Sequence, residues 1–206
     1  MVGGTGLYFN SLLNGLAKIP NISIKHRNKI RSYHKKIGQK KFYFELLKLD
    51  PKVKNFISPT DTQRTIRAYE VKKYTKISLY EWFDKTKSNF ENHLFKKLFI
   101  NLDKESLIKK INIRTEKMFN NGVKKEVVKF LKLKIAKNRS ANKIIGIYEI
   151  TDHLNEKLSI DQVKELIKIR TRQYAKRQNT WARGKMSLWQ TISATNYKEI
   201  LKKVIN

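Results

Sequence analysis

Val2-Gly3-Gly4-Thr5-Gly6 places three glycines within four positions near the start of a 206-residue chain. Such a run cannot be the interior of a helix or strand, where each Gly costs roughly 0.5–1 kcal/mol relative to Ala. It fixes a turn whose backbone bends sharply or lets another group come close. Thr5 adds a hydroxyl that both donates and accepts hydrogen bonds. Leu7, Leu12, Leu13 and Leu16, with Tyr8 and Phe9, follow at helical spacing. The stretch therefore reads as a Gly-rich turn presenting Thr5 at the mouth of a helix. No Gly-Lys-Ser/Thr follows and the run is not Gly-x-Gly-x-x-Gly, so it is neither a nucleotide phosphate loop nor a dinucleotide fingerprint. A purely structural strand-to-helix turn would have the same sequence.

Lys18-Ile19-Pro20-Asn21 interrupts this pattern, and a boundary is placed there, giving segments 1–22, 23–95 and 96–206. The middle segment reads as all helical. It has helices over His26–Ile37 and Lys40–Leu49 separated at Gly38, and a short one around Val53, Phe56 and Ile57. A further helix, Thr62–Tyr74, is capped by Thr60-Asp61, and Ser78 caps another through Trp82 and Phe83. In the last segment, Leu98–Leu102 is a short apolar run that suits a buried strand. Asp103 caps a helix over Lys104–Phe119, stopped by Asn121-Gly122. Helices are then predicted over Val123–Leu133, Asn142–Glu156, Ile160–Arg183 and Tyr197–Ile205. The fold class expected is mostly α.

Charge narrows the partner. Forty-six Lys and Arg stand against 17 Asp and Glu, a net charge of +29, so a polyanion such as nucleic acid is the leading partner class, with a membrane surface as the competitor. The chain is rich in Lys, Ile and Asn, and only ten of its cations are Arg: 27, 31, 64, 67, 114, 139, 170, 172, 177 and 183. Against that Lys background an Arg marks a place needing a planar, five-donor fork. There is no Cys, which fits an intracellular location and excludes a disulfide framework. No apolar run approaches the ~18 residues of a membrane span. A cytosolic protein is expected.

Three arginine constellations stand out. Gln63, Arg64 and Arg67, with Thr65 and Ile66 between them, open a helix with their polar side chains three and four apart, a geometry suited to phosphates or base edges. Arg27 and Arg31 repeat the four-residue spacing earlier; either pair also suits a solvated basic face. Arg172, Lys176 and Arg183 share one stripe of a later helix, beside Tyr174 and Trp181, and basic residues among aromatics suit nucleic acid, although the aromatics also suit a core. Arg114 lies beside the apolar stripe Leu107, Ile111 and Met118 and needs an anionic partner, either a protein carboxylate or a substrate diphosphate. The four histidines, 26, 34, 93 and 153, share no ligand spacing, so no metal site is read from them.

Four of these segments, in order, resemble the tRNA dimethylallyltransferases (tRNA isopentenyltransferases). They are Val2–Phe9, Asp61–Val71, Lys143-Ile144-Ile145-Gly146-Ile147-Tyr148 and Thr171–Arg183, and the resemblance covers essentially the whole chain. It implies transfer of a dimethylallyl group from dimethylallyl diphosphate to N6 of the adenosine 3′ of the tRNA anticodon, with that base flipped out of its stack. It also implies a P-loop-type α/β core, of which this chain holds a remnant, carrying an all-helical insertion domain (residues 23–95) that grips the anticodon stem-loop. By the same resemblance Thr5 stands beside the reacting adenine and Arg114 at the diphosphate. Arg27, Gln63–Arg67 and Lys143–Tyr148 are tRNA-contacting, Arg172, Lys176 and Arg183 are grouped with them, and Mg²⁺ is the implied metal. Ile147-Tyr148 departs from the family's usual Tyr followed by a basic residue.

The larger departure is that the family's Gly-Lys-Ser/Thr phosphate loop and the Asp-Ser motif supplying its general base are not among these residues. The expectation is therefore a truncated enzyme, a mis-assigned start or one half of a split protein. It would bind tRNA as a monomer unless a second chain brings the loop, and would leave the Leu98–Leu102 strand with apolar surface exposed. Two alternatives stand beside it: a non-enzymatic RNA-binding protein derived from the enzyme, and an adenylate isopentenyltransferase. A free nucleotide would not need the grip of Gln63, Arg64 and Arg67.

Overall fold

A computed structural model describes residues 2–136, 139–193 and 197–205. Its contacts divide the chain into two compact units, Leu7–Phe95 in one and Met1–Gly6 with Lys96–Asn206 in the other. The chain is mostly helical, and its described residues include a small parallel sheet.

The Leu7–Phe95 unit takes all but the first residue of α1 (Gly6–Asn14), then α2 (Ile24–Leu49), α3 (Thr62–Thr75) and α4 (Leu79–Asp84). Each of the last three begins where a side chain can satisfy an orphan N–H. Ser23 accepts from His26 N, Asp61 from Arg64 N at 3.0 Å, and Ser78 from Tyr80 N. Gly38 (φ 77°, ψ 163°) kinks α2 where two helices were expected. Val53 and its neighbours form a 3-10 turn, Pro51–Asn55, instead of an α-helical one, with the backbone N–H groups of Phe56 and Ile57 both donating to Val53 O. Ile22, Tyr43, Leu46, Val53, Ile57, Ala68, Val71 and Leu79 make the core. Tyr43 is buried without penalty because its hydroxyl donates to Ile57 O at 3.0 Å.

In the other unit β1 (Leu98–Asn101) pairs in parallel with β2 (Gln190–Ser193), Ile100 opposite Ile192. Between them run α5 (Lys104–Asn120), α6 (Val123–Lys132), α7 (Ile147–Leu154) and α8 (Ile160–Lys185), and α9 (Tyr197–Ile205) follows β2. Val123, Val127, Ile150, Val163 and Ile167 form a core joined by Met118, Phe119, Ile145 and Leu158. Glu116 ties α5 to α8 by accepting from Lys164 (2.6 Å) and Lys168 (3.0 Å), and the Lys164 bond holds its carboxyl below the ordinary range. The strand at Leu98 does expose Ile100, while Ile192 beside it is buried.

A longer helix is also corrected, and one strand was missed. The helix predicted over Asn142–Glu156 is a 3-10 turn, Ser140–Lys143, followed by a break and then α7. Gly146 sits at φ 107°, a conformation no helix continues through, and its N–H donates to Glu149 Oε2 at 2.9 Å to start α7 afresh. β2 was not foreseen at all: among its four residues only Ile192 is a large aliphatic, too little for an alternating pattern.

Candidate nucleic-acid interface

The first half of α2 and the first two turns of α3 bring two of the arginine groups together. Arg27, Arg31 and His34 from α2 line a cavity of roughly 500 Å³ with Gln63, Ile66, Arg67 and Glu70 from α3. Asp61 fixes where α3 begins. Its carboxylate accepts from Arg64 N and also pairs with the Arg64 side chain, and chiefly the backbone bond holds the Asp61 carboxyl below the usual aspartate range. Arg64 is thus folded back on its own cap, while Gln63 stays exposed.

Thr65 is fully buried. Its hydroxyl donates to Asp61 O at 2.6 Å and accepts from Gln39 Nε2, whose Oε1 lies 2.9 Å from His34 Nε2. Thr65 therefore offers no surface to a ligand and braces α3 against α2 from behind. Ile66 is half-buried in the cavity wall. Glu70 was not singled out by its sequence. It is 3% exposed, with Oε1 3.7 Å from Arg31 Nε and Oε2 3.7 Å from Arg67 Nη1. His34 was likewise noticed only as a lone histidine. The sequence carried one faint signal for Glu70, its spacing of three from Arg67 on a helix.

In the other unit the Gly-rich turn lies against α8. Gln178 Nε2 donates to Gly4 O at 2.8 Å, and a Cβ at Gly4 would run into that amide. A Cβ at Gly6 would run into the ring of Trp181. Two of the three glycines are there for close approach, whereas a Cβ at Gly3 meets nothing within 4 Å. Trp181 is half-buried by this contact; Tyr174 is exposed, with the Arg177 guanidinium 5.8 Å from its ring centre. Thr5 is exposed between the two packed glycines.

Along the same helix Arg172 pairs with Glu165 at 3.0 Å, while Lys176 and Arg183 are exposed. Lys143, Ile144 and Tyr148 are exposed around the Gly146 break, Ile145 packs on the core and Ile147 is half-buried. Behind them Arg170 Nη1 lies 2.7 Å from the buried carboxylate of Glu149. Arg114 is exposed on α5, and no protein carboxylate pairs with it among the described residues. Nor, among the described residues, do three or more His, Cys, Asp or Glu side chains gather where a metal could sit, so these residues supply no ready-made cage of their own for the Mg²⁺ implied by resemblance. No described helix is long and apolar enough to cross a membrane.

In one unit guanidinium forks from α2 and α3 converge on a cavity, and in the other exposed cations of α8 stand among aromatics, each an arrangement that suits an anionic ligand. The family model described as IPP transferase matches residues 1–185, and the chain belongs to that family. A tRNA dimethylallyltransferase of Pelagibacter ubique (strain HTCC1062) is 57% identical over 204 residues, 99% of this chain and 65% of the relative. Among solved structures, a tRNA delta(2)-isopentenylpyrophosphate transferase from Staphylococcus epidermidis is 25% identical with a TM-score of 0.56, covering 98% of this chain and 66% of the other. A eukaryotic dimethylallyltransferase acting on tRNA is 25% identical with a TM-score of 0.67, covering 87% of this chain and 46% of its own. The chain thus spans less than two thirds of the length of each of these relatives.

Proposed function

We propose that this chain works in transfer of a dimethylallyl group from dimethylallyl diphosphate to N6 of the adenosine 3′ of a tRNA anticodon, and that its own share of the work is to hold the RNA. The observation that carries the reading is the cavity joining Arg27 on α2 to Gln63 and Arg67 on α3. Residues picked out separately as phosphate- or base-directed share one concave, cationic wall, as an RNA stem-loop requires. In the other unit Lys143, Lys176 and Arg183 offer exposed cations for phosphates, Arg172 stands beside them paired with Glu165, and Ile144 and the exposed ring of Tyr148 suit an unstacked base. Residues 23–95 act as the tRNA-binding insertion, and β1 and β2 belong to a P-loop-type α/β core.

Thr5 is assigned to the reacting adenine. Held by the contacts of Gly4 and Gly6, it has a hydroxyl free to hydrogen-bond the base edge. Arg114, exposed and without a carboxylate partner among the described residues, is assigned to the diphosphate. The reaction also needs donors for the diphosphate and a base for the N6 proton. These 206 residues contain neither Gly-Lys-Ser/Thr nor Asp-Ser, so they bind RNA without transferring the prenyl group unless those groups are supplied.

The test is a transfer assay with radiolabelled dimethylallyl diphosphate and an unmodified anticodon stem-loop bearing adenosine 3′ of the anticodon, with binding of the same RNA measured across a salt series. Binding that weakens steeply with salt, without transfer, is the expected result. Transfer by the chain alone would overturn the assignment of its share, and absence of binding would overturn the RNA reading itself.

A further inference from the structure

Glu70 is a poor device for stability. Its carboxylate is 3% exposed, Oε1 accepts no hydrogen bond, and its two cationic neighbours stand at 3.7 Å, beyond hydrogen-bonding distance. A buried charge so weakly compensated does no better for folding than an apolar side chain of the same shape. What it touches is more informative. Arg31 reaches one oxygen from α2 and Arg67 the other from α3, and Arg27, whose Nε is itself buried without a partner, lines the same cavity. Three guanidiniums brought to one wall repel one another, and long side chains in mutual repulsion splay into solvent. A single carboxylate at their back supplies the counter-charge. It leaves the outward N–H groups of Arg31 and Arg67, both substantially exposed, free to meet an anion.

We propose that Glu70 is a positioning residue for RNA: it acts through Arg31 and Arg67, holding their forks convergent on the cavity so that they meet the RNA backbone already oriented. The proposal rests on the RNA-binding reading above. Direct contact between Glu70 and RNA is not part of it, since a buried acceptor oxygen backed by two arginines is closed to a ligand.

The proposal fixes a sign. Glu70→Gln raises the net charge by one, which by long-range electrostatics alone tightens RNA binding or leaves it unchanged. Loss of positioning weakens it. The experiment measures the Kd of the full chain for a fluorescently labelled, unmodified anticodon stem-loop at one low salt concentration. The variants are Glu70→Gln, Arg31→Lys, Arg67→Lys and the Glu70→Gln/Arg67→Lys pair, with circular dichroism on each. Glu70→Gln is expected to bind about tenfold more weakly, the equivalent of one charge-assisted hydrogen bond. The pair is expected to bind no more weakly than the worse single variant, because both changes disable the same fork.

Glu70→Gln binding as tightly as the unsubstituted chain, or more tightly, overturns the proposal, as do losses that multiply in the pair. If Glu70→Gln does not fold, Glu70→Asp decides, since it keeps the charge but draws it back from both guanidiniums: binding within twofold of the unsubstituted chain overturns the proposal, and a loss near tenfold supports it. An unsubstituted chain that does not bind the RNA removes the RNA reading and this proposal together, whereas tight binding with an indifferent Glu70→Gln removes the proposal alone.

Discussion

At the scale of single residues, the glycines of the first motif are not equivalent. Gly6 lies under the Trp181 ring and Gly4 against the Gln178 amide, while Gly3 faces open space. An added methyl at Gly6 forces an aromatic ring to move, an overpacking cost of about 1–3 kcal/mol. Gly6→Ala should lower the denaturation midpoint accordingly and shift tryptophan emission, while Gly3→Ala should change stability by less than about 0.5 kcal/mol. Equal effects at both positions would show that the turn needs backbone freedom more than close approach. Asp61 gives a prediction in pH. Its carboxyl is held low in the folded chain, so its contribution is complete above the ordinary aspartate value of about 3.9 and disappears as pH falls through the lower folded value. Asp61→Ala should cost about 1 kcal/mol at neutral pH, and the difference between it and the unsubstituted chain should shrink as pH falls below the ordinary aspartate value. Denaturant melts at pH 7 and pH 2.5 would measure both.

At the scale of elements, what could be read from the sequence followed how local the determining physics was. Asp61, Ser78 and Asp103 were legible as helix starts because an N-cap bond spans two or three residues. The kink at Gly38 was legible for the same reason. The break at Gly146 was not. Isoleucines on both sides continue a helical spacing, and only Glu149 reaching back to Gly146 N gives the break away. β2 is defined by pairing with a strand some ninety residues earlier, information its own four residues do not contain. The candidate interface divides in the same way. Arg27, Gln63 and Arg67 were visible by residue type and spacing, but the burial of Thr65 and the reach of Glu70 to Arg31 depend on α2 lying against α3. The α7 start carries its own test. With φ at 107°, Gly146→Ala should cost roughly 1–2 kcal/mol, although a Cβ there would meet only ordinary contacts. A stability loss below about 0.5 kcal/mol would mean that α7 can begin without that turn.

At the scale of the whole molecule, several of the scarce acidic side chains are spent internally. Glu70, Glu116, Glu149 and Asp61 each neutralise arginines or lysines of the same chain, and most of the excess of 29 positive charges is left facing solvent. Such a surface binds any polyanion by releasing its counterions, so a stem-loop contacting six to ten phosphates should lose about 10³–10⁵ in affinity between 50 and 200 mM salt. The two kinds of cation should separate in that series. Lys176→Ala removes a solvent-facing charge and should flatten the log–log slope by about one for a single phosphate contact, weakening all RNAs alike. Arg67→Lys keeps the charge and loses the fork, so it should leave the slope unchanged and displace the whole line toward weaker binding. If Arg67→Lys changes the slope and not the offset, the cavity attracts RNA only as a patch of charge. If the line moves in parallel, the arginines of α2 and α3 meet the RNA through oriented hydrogen bonds, and the lysines supply the field that draws it in.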